Sequence, residues 1–180
     1  KGAETCLDCQ IGRSTNITGN YAANCDACSI GLYQSRTSQA NCLSCVPGTH
    51  QDELGQSICK ECKQGLFRGF KDAICHSCPL GYTSASSSAK CTQCNRGMYG
   101  VLDSKIIPHC ETCPRGYYQD EEAKEYCTDC PIGTFQSVRK AADCSKCPAG
   151  RFQANIRAQF CVECKNGMYQ NEQGKTDCSD

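Results

Sequence analysis

Residues 127–136 read Cys127-Thr128-Asp129-Cys130-Pro131-Ile132-Gly133-Thr134-Phe135-Gln136, and residues 144–153 read Cys144-Ser145-Lys146-Cys147-Pro148-Ala149-Gly150-Arg151-Phe152-Gln153. The two stretches share the frame C-x-x-C-P-x-G-x-F-Q and little else. Self-similarity at a fixed period marks a repeat architecture. Read outward, C-x-x-C pairs begin at Cys6, Cys25, Cys42, Cys59, Cys75, Cys91, Cys110, Cys127, Cys144 and Cys161. The steps are 19, 17, 17, 16, 16, 19, 17, 17, 17 and 17 residues, the last reaching Cys178, where an eleventh pair would begin. Nothing interrupts the series, so residues 1–180 read as one continuous array of cysteine-rich repeats. The array starts and stops inside the pattern, which predicts an interior fragment of a longer chain.

Gly lies three residues after the second Cys in all ten repeats: Gly12, Gly31, Gly48, Gly65, Gly81, Gly97, Gly116, Gly133, Gly150 and Gly167. An aromatic follows two later at Tyr33, Phe67, Tyr99, Tyr118, Phe135, Phe152 and Tyr169; His50 takes that place once, and Tyr82 is displaced by one. Gln follows at Gln34, Gln51, Gln119, Gln136, Gln153 and Gln170, and Pro follows the second Cys at Pro79, Pro114, Pro131 and Pro148. Pro fixes φ at a turn, and Gly permits the positive φ that many turns need. The aromatic suits a short extended segment. With few aliphatics present, a cystine or a neighbouring ring is its expected packing partner. The frame predicts a small disulfide-rich fold: an elongated rod of about ten short β/turn units with little helix. At about 4.8 Å per strand, ten units would span on the order of 100 Å.

Leu, Ile, Val and Phe together number 25 of 180 residues, while Cys alone numbers 21. Chains with less than about 20% of those four residues do not build an ordinary core. Disorder usually goes with high net charge, but here 19 basic residues balance 19 acidic ones. Cys above about 8–10% instead marks a crosslinked scaffold. A conventional enzyme domain of this length buries a contiguous apolar interior, so no catalytic residue and no cofactor is assigned. Asp120-Glu121-Glu122 sits on a polar stretch with nothing apolar to raise a pKa. The absence of a basic run excludes nucleic acid as an expected partner. No apolar stretch is long enough to span a bilayer, so membrane attachment is expected only through a segment outside this fragment.

Three chemistries use such cysteines: disulfides, zinc sites and C-x-x-C redox catalysis. Redox catalysis needs one pair at a helix N-terminus, not ten on a lattice of loops. Zinc is disfavoured because His50, His76 and His109 have no ligand spacing, and the varying repeat length suits independent loop closures. Disulfides are therefore expected and metal sites are not. Two regular pairings fit. The chained scheme joins Cys9–Cys25, Cys28–Cys42, Cys45–Cys59, Cys62–Cys75, Cys78–Cys91, Cys94–Cys110, Cys113–Cys127, Cys130–Cys144, Cys147–Cys161 and Cys164–Cys178, leaving Cys6 a partner outside the fragment. The crossed scheme interlocks neighbouring pairs (Cys6–Cys25 with Cys9–Cys28, and onward) and leaves Cys178 over. Crossed pairing predicts that odd and even repeats differ. They do not, which favours the chained scheme. Each closed loop is worth roughly 3 kcal/mol in the chain-entropy model.

The frame at Cys127–Gln136 and Cys144–Gln153 resembles the ephrin-receptor-like, or GCC2/GCC3-type, cysteine-rich repeats. It also resembles the first-module type of tumour-necrosis-factor-receptor cysteine-rich domains. The resemblance covers about residues 6–178. The first repeat (no aromatic after Gly12) and the fourth (Lys63-Gln64, no Pro) depart most. It implies an extracellular, disulfide-bonded, elongated and non-catalytic array, with structural roles for the Cys, Gly and aromatic positions. The expected function is a structural or spacer array in a secreted, cell-surface or appendage protein. Its expected partners are copies of itself or other components of an extracellular filament or matrix. The alternative is a receptor or adhesion ectodomain that binds a protein ligand through the two longest polar stretches, Gln10–Asn24 and Asn95–His109. Their candidate contacts are Tyr21, Ile106, Ile107 and Pro108. Asn16-Ile17-Thr18 is an N-glycosylation acceptor, consistent with an extracellular route.

Overall fold

The computed structural model describes residues 8–15, 24–70, 72–104 and 106–180. Cys6, Asn16 and Tyr21 lie outside the described residues. Among the described residues there is no helix. By internal contacts the chain divides into two compact units, Lys1–Cys78 with Ser84–Cys91 and Pro79–Thr83 with Thr92–Asp180.

Both units are built from antiparallel hairpins of one design. In the first unit β1 (Arg13–Ser14) pairs with β2 (Asp26–Ala27), β3 (Leu32–Tyr33) with β4 (Leu43–Ser44), β5 (Thr49–His50) with β6 (Lys60–Glu61), and β7 (Leu66–Phe67) with β8 (His76–Ser77). In the second, β9 (Tyr82–Thr83) pairs with β10 (Thr92–Gln93), β11 (Met98–Leu102) with β12 (Pro108–Thr112) and β13 (Tyr117–Tyr118) with β14 (Thr128–Asp129). There β15 (Thr134–Phe135) also pairs with β16 (Ser145–Lys146), and β17 (Arg151–Phe152) with β18 (Val162–Glu163). The first strand follows the turn glycine. The second begins between the two cysteines of the next C-x-x-C, except that β12 extends outward through Cys110. Two-residue strands cannot stand alone, so the crosslinks must hold them.

A tight turn feeds each hairpin. The Thr134 N–H donates to the Pro131 carbonyl at 3.1 Å, and Gly133 between them has φ +76°. Positive φ at the third residue of such a turn selects glycine. The Gly133 carbonyl then accepts the Cys147 N–H at 2.9 Å, closing the hairpin.

Ten disulfides join the second cysteine of each C-x-x-C to the first cysteine of the next: Cys9–Cys25, Cys28–Cys42, Cys45–Cys59, Cys62–Cys75, Cys78–Cys91, Cys94–Cys110, Cys113–Cys127, Cys130–Cys144, Cys147–Cys161 and Cys164–Cys178. The two cysteines of one C-x-x-C never bond each other, because the strand between them holds them apart. Nine of the ten second cysteines are buried, from Cys9 to Cys147, as are five of the six frame glutamines. The sequence-based expectation placed aromatic rings in a mini-core. In the structure Tyr33, Phe67, Tyr99, Tyr118, Phe135 and Phe152 are largely covered, while Tyr169 is exposed. The buried positions are mainly sulfur and amide.

Candidate functional site

The frame glutamine is the side chain whose purpose sequence reasoning missed. Nε2 of Gln34, Gln51, Gln119, Gln136, Gln153 and Gln170 donates to the carbonyl seven residues on, at Asn41, Ile58, Tyr126, Asp143, Phe160 and Asp177, over 2.6–3.0 Å. Each Oε1 accepts the N–H two residues on, at Arg36, Glu53, Glu121, Val138, Asn155 and Glu172. One amide thus braces both ends of the variable loop, at the residue just before the next cystine. All six braces occur in disulfide loops of sequence separation 14. Loops of separation 13 carry Arg68 or Ser84 at that position, and loops of 16 carry Thr15 or Gly100. A signal was therefore present: Gln always stands eight residues before the next first Cys. Arg68, only 4% exposed, donates from one Nη to the Cys45 and Val46 carbonyls at 3.1 and 3.2 Å, tying its loop to the preceding repeat instead.

Successive repeats are joined along the backbone. The Gly116 N–H donates to the Gln136 carbonyl of the next repeat at 2.9 Å, and the Lys140 N–H returns a bond to the Cys113 carbonyl at 3.0 Å. The same two bonds recur within both units, as at Gly12–Gln34 with Ser38–Cys9 in the first. Contact also skips a repeat. A Cβ placed on Gly133 would lie 2.0 Å from the Gly174 carbonyl oxygen, two repeats on, and one on Gly48 would lie 2.0 Å from that of Ser87. Here glycine serves both the turn and a backbone approach that no side chain permits.

Of the two long stretches, Gln10–Asn24 lies mainly outside the described residues. Asn95–His109 folds into the β11–β12 hairpin. At its tip the Asp103 carboxylate accepts the Ile107 N–H at 2.8 Å. Pro108 is fully buried, Ile107 half-buried, and Ile106 is 73% exposed with φ +62°. Left-handed backbone is a genuine outlier for a β-branched residue. The hairpin therefore presents Ile106 to solvent at a conformational cost.

Several of the acidic groups pair with lysine. Lys124 lies 2.7 Å from Glu121, and this hydrogen bond raises the lysine pKa. Lys60 reaches Asp52 at 2.8 Å and Glu53 at 3.0 Å, and its hydrogen bond holds the Asp52 carboxyl below the ordinary carboxylate range. Lys175 does the same for Glu172. All are solvent-exposed pairs of small energetic weight.

The three histidines have different partners. His76 faces Asp72 at 3.5 Å and the Phe67 ring at 6.1 Å between centroids. His109 faces Glu111 at 3.7 Å. His50, which sequence spacing linked to no cysteine, places Nδ1 3.0 Å from Cys75 Sγ. One atom each of His50, Cys62 and Cys75 lie within 4.8 Å of one another. The two sulfurs are joined as a cystine and present no thiolate.

Short hairpins, buried cystines and glutamine-braced loops define a cysteine-rich ectodomain repeat, a class of extracellular or cell-surface module. The family model described as tyrosine-protein kinase ephrin type A/B receptor-like matches residues 17–56, 103–139 and 121–160, together more than half of the chain. The chain belongs to this ephrin-receptor-like family, whose cysteine-rich repeats are non-catalytic ectodomain modules. No curated protein matches the chain. Among the described residues, no helix is long and apolar enough to cross a membrane.

Proposed function

We propose that this disulfide-stabilised extracellular array is a non-catalytic structural element. Its repeats pack against copies of the chain or other components of a filament, appendage or matrix. The distribution of exposed apolar side chains carries this reading. Each of the ten repeats leaves at least one large apolar residue outside, from Ile11 and Ile30 through Phe70, Ile106 and Phe160 to Tyr169. A receptor gathers such residues into one patch with a polar rim. A lateral assembly needs them along its length. Zero formal net charge adds no long-range repulsion between copies. Electron microscopy of the native material tests this. Regular filaments or tubes with the chain repeating in the wall are expected, and isolated particles would overturn the proposal.

A second reading, a receptor or adhesion ectodomain, is favoured by one observation, the exposed Ile106 at the β11–β12 tip. Its partner would be a protein with an apolar pocket. Saturable binding of a soluble protein, abolished by Ile106→Ser, would establish it.

A further inference from the structure

His50 stands in the slot two residues after a turn glycine, where seven other repeats carry an aromatic. In two repeats a polar side chain in that slot reaches the first cysteine two repeats on, whereas Thr83 in the same slot donates to the Pro108 carbonyl at 3.3 Å. Ser14 Oγ lies 3.3 Å from Cys42 Sγ, and His50 Nδ1 lies 3.0 Å from Cys75 Sγ. An aromatic there is inert towards sulfur. An imidazole can carry a charge and a proton. The Cys62–Cys75 bond is also open to solvent on one side. Cys62 is fully buried, but Cys75 is half-buried and lines a cleft of about 330 Å³ with His50. Asp52, Glu61 and Lys63 are the other charged residues of that cleft, and Lys60 is the cross-strand partner of His50. Among the described residues, no other cystine has a histidine ring nitrogen at this distance.

We propose that Cys62–Cys75 is a thiol-exchange site, the one bond of the array that a small thiol opens selectively, with His50 as the assisting group. A thiolate entering the cleft attacks the accessible Cys75 Sγ. The new bond joins the thiol sulfur to Cys75, the Cys62–Cys75 bond breaks, and its electron pair leaves on Cys62 as a thiolate. A protonated His50, within 4.8 Å of both sulfurs, offsets that charge and supplies a proton. A second thiolate then attacks the sulfur of the adduct. This forms the small-molecule disulfide and releases Cys75 as a thiolate beside the imidazole. Two thiols are oxidised to one disulfide while the cystine is reduced to two cysteines. Exchange accelerates when the departing sulfur is a better leaving group. An imidazolium at His50, within 4.8 Å of the departing Cys62 sulfur, would provide that at this cystine.

The test is limited exchange on the folded chain. The protein is treated with glutathione, quenched with an alkylating agent and mapped by mass spectrometry. The glutathione adduct is expected on Cys75 with the alkyl group on Cys62, roughly tenfold above any other pair. His50→Tyr restores the usual aromatic and should erase the preference. His50→Gln, which keeps a polar side chain without an imidazolium, should do so as well. An even spread of adducts over the half-buried first cysteines would overturn the proposal. So would a Cys75 preference that survives both substitutions.

Discussion

A glutamine amide can brace a loop only if the loop has the right length. Gln51, 1% exposed, spans from the Glu53 N–H to the Ile58 carbonyl, and its five counterparts span the same interval. Removing a buried amide leaves both backbone groups unsatisfied, at a cost of about 1–3 kcal/mol. Gln119→Ala should therefore lower stability by that amount in denaturant titration, with faster hydrogen exchange at Glu121. The turn glycines allow a sharper comparison. Gly133 and Gly150 have nearly equal φ, +76° and +80°. A Cβ on Gly150 meets nothing within 4 Å, whereas one on Gly133 meets the Gly174 carbonyl. Gly150→Ala should cost about 1–2 kcal/mol, the left-handed penalty alone. Gly133→Ala should cost distinctly more, because backbone must move. Equal melting temperatures for the two variants would refute the contact that skips a repeat.

At the scale of the element, most hairpins have two-residue strands and depend on the cystines that bracket them. The β11–β12 hairpin is the exception. Its five-residue strands and the Asp103 turn give it hydrogen bonds of its own. It pays for Ile106 at φ +62° with about 1–2 kcal/mol. Ile106→Gly should recover about 1 kcal/mol, visible as a raised thermal midpoint. If this substitution also abolishes association with a partner, the strained residue is held there for binding. The ion pairs decorate the loops. Lowered carboxyl pKa values at Asp52 and Glu172 add stability above the unfolded carboxyl pKa, near 4. That stability is lost as pH falls through the still lower folded values. Thermal midpoints should be flat from pH 5 to 8 and decline slightly below about pH 4, because the pairs are exposed.

Across the molecule, the described residues bury mainly sulfur and amide while Phe70 is 88% exposed. Among them there is no large aliphatic core to fall back on. Full reduction is expected to abolish its β-type circular dichroism and its chemical-shift dispersion. A spectrum unchanged under reductant would remove the crosslinks from the account of stability.

The repeat, the turn at each glycine and the closing of short loops by disulfides were legible in the sequence, because each follows from spacing and from what one residue type can do locally. Gly133 must turn whatever surrounds it, and C-x-x-C pairs at 16–19-residue steps must close short loops. The purpose of Gln51 was visible only as a constant interval, since nothing local says that an amide must be buried. That Tyr169 stays exposed while the other slot aromatics are largely covered was not legible, since sequence alone does not show what lies over a ring. Chained pairing was one of two schemes that spacing allowed. The register of each hairpin, which sets the second cysteine of one pair beside the first of the next, belongs to the tertiary structure. So does the placement of His50 against Cys75, 25 residues away in sequence. Local conformation is fixed by the residue itself. Which sulfur meets which ring is fixed by how repeats stack through space, and no spacing along the chain encodes that distance.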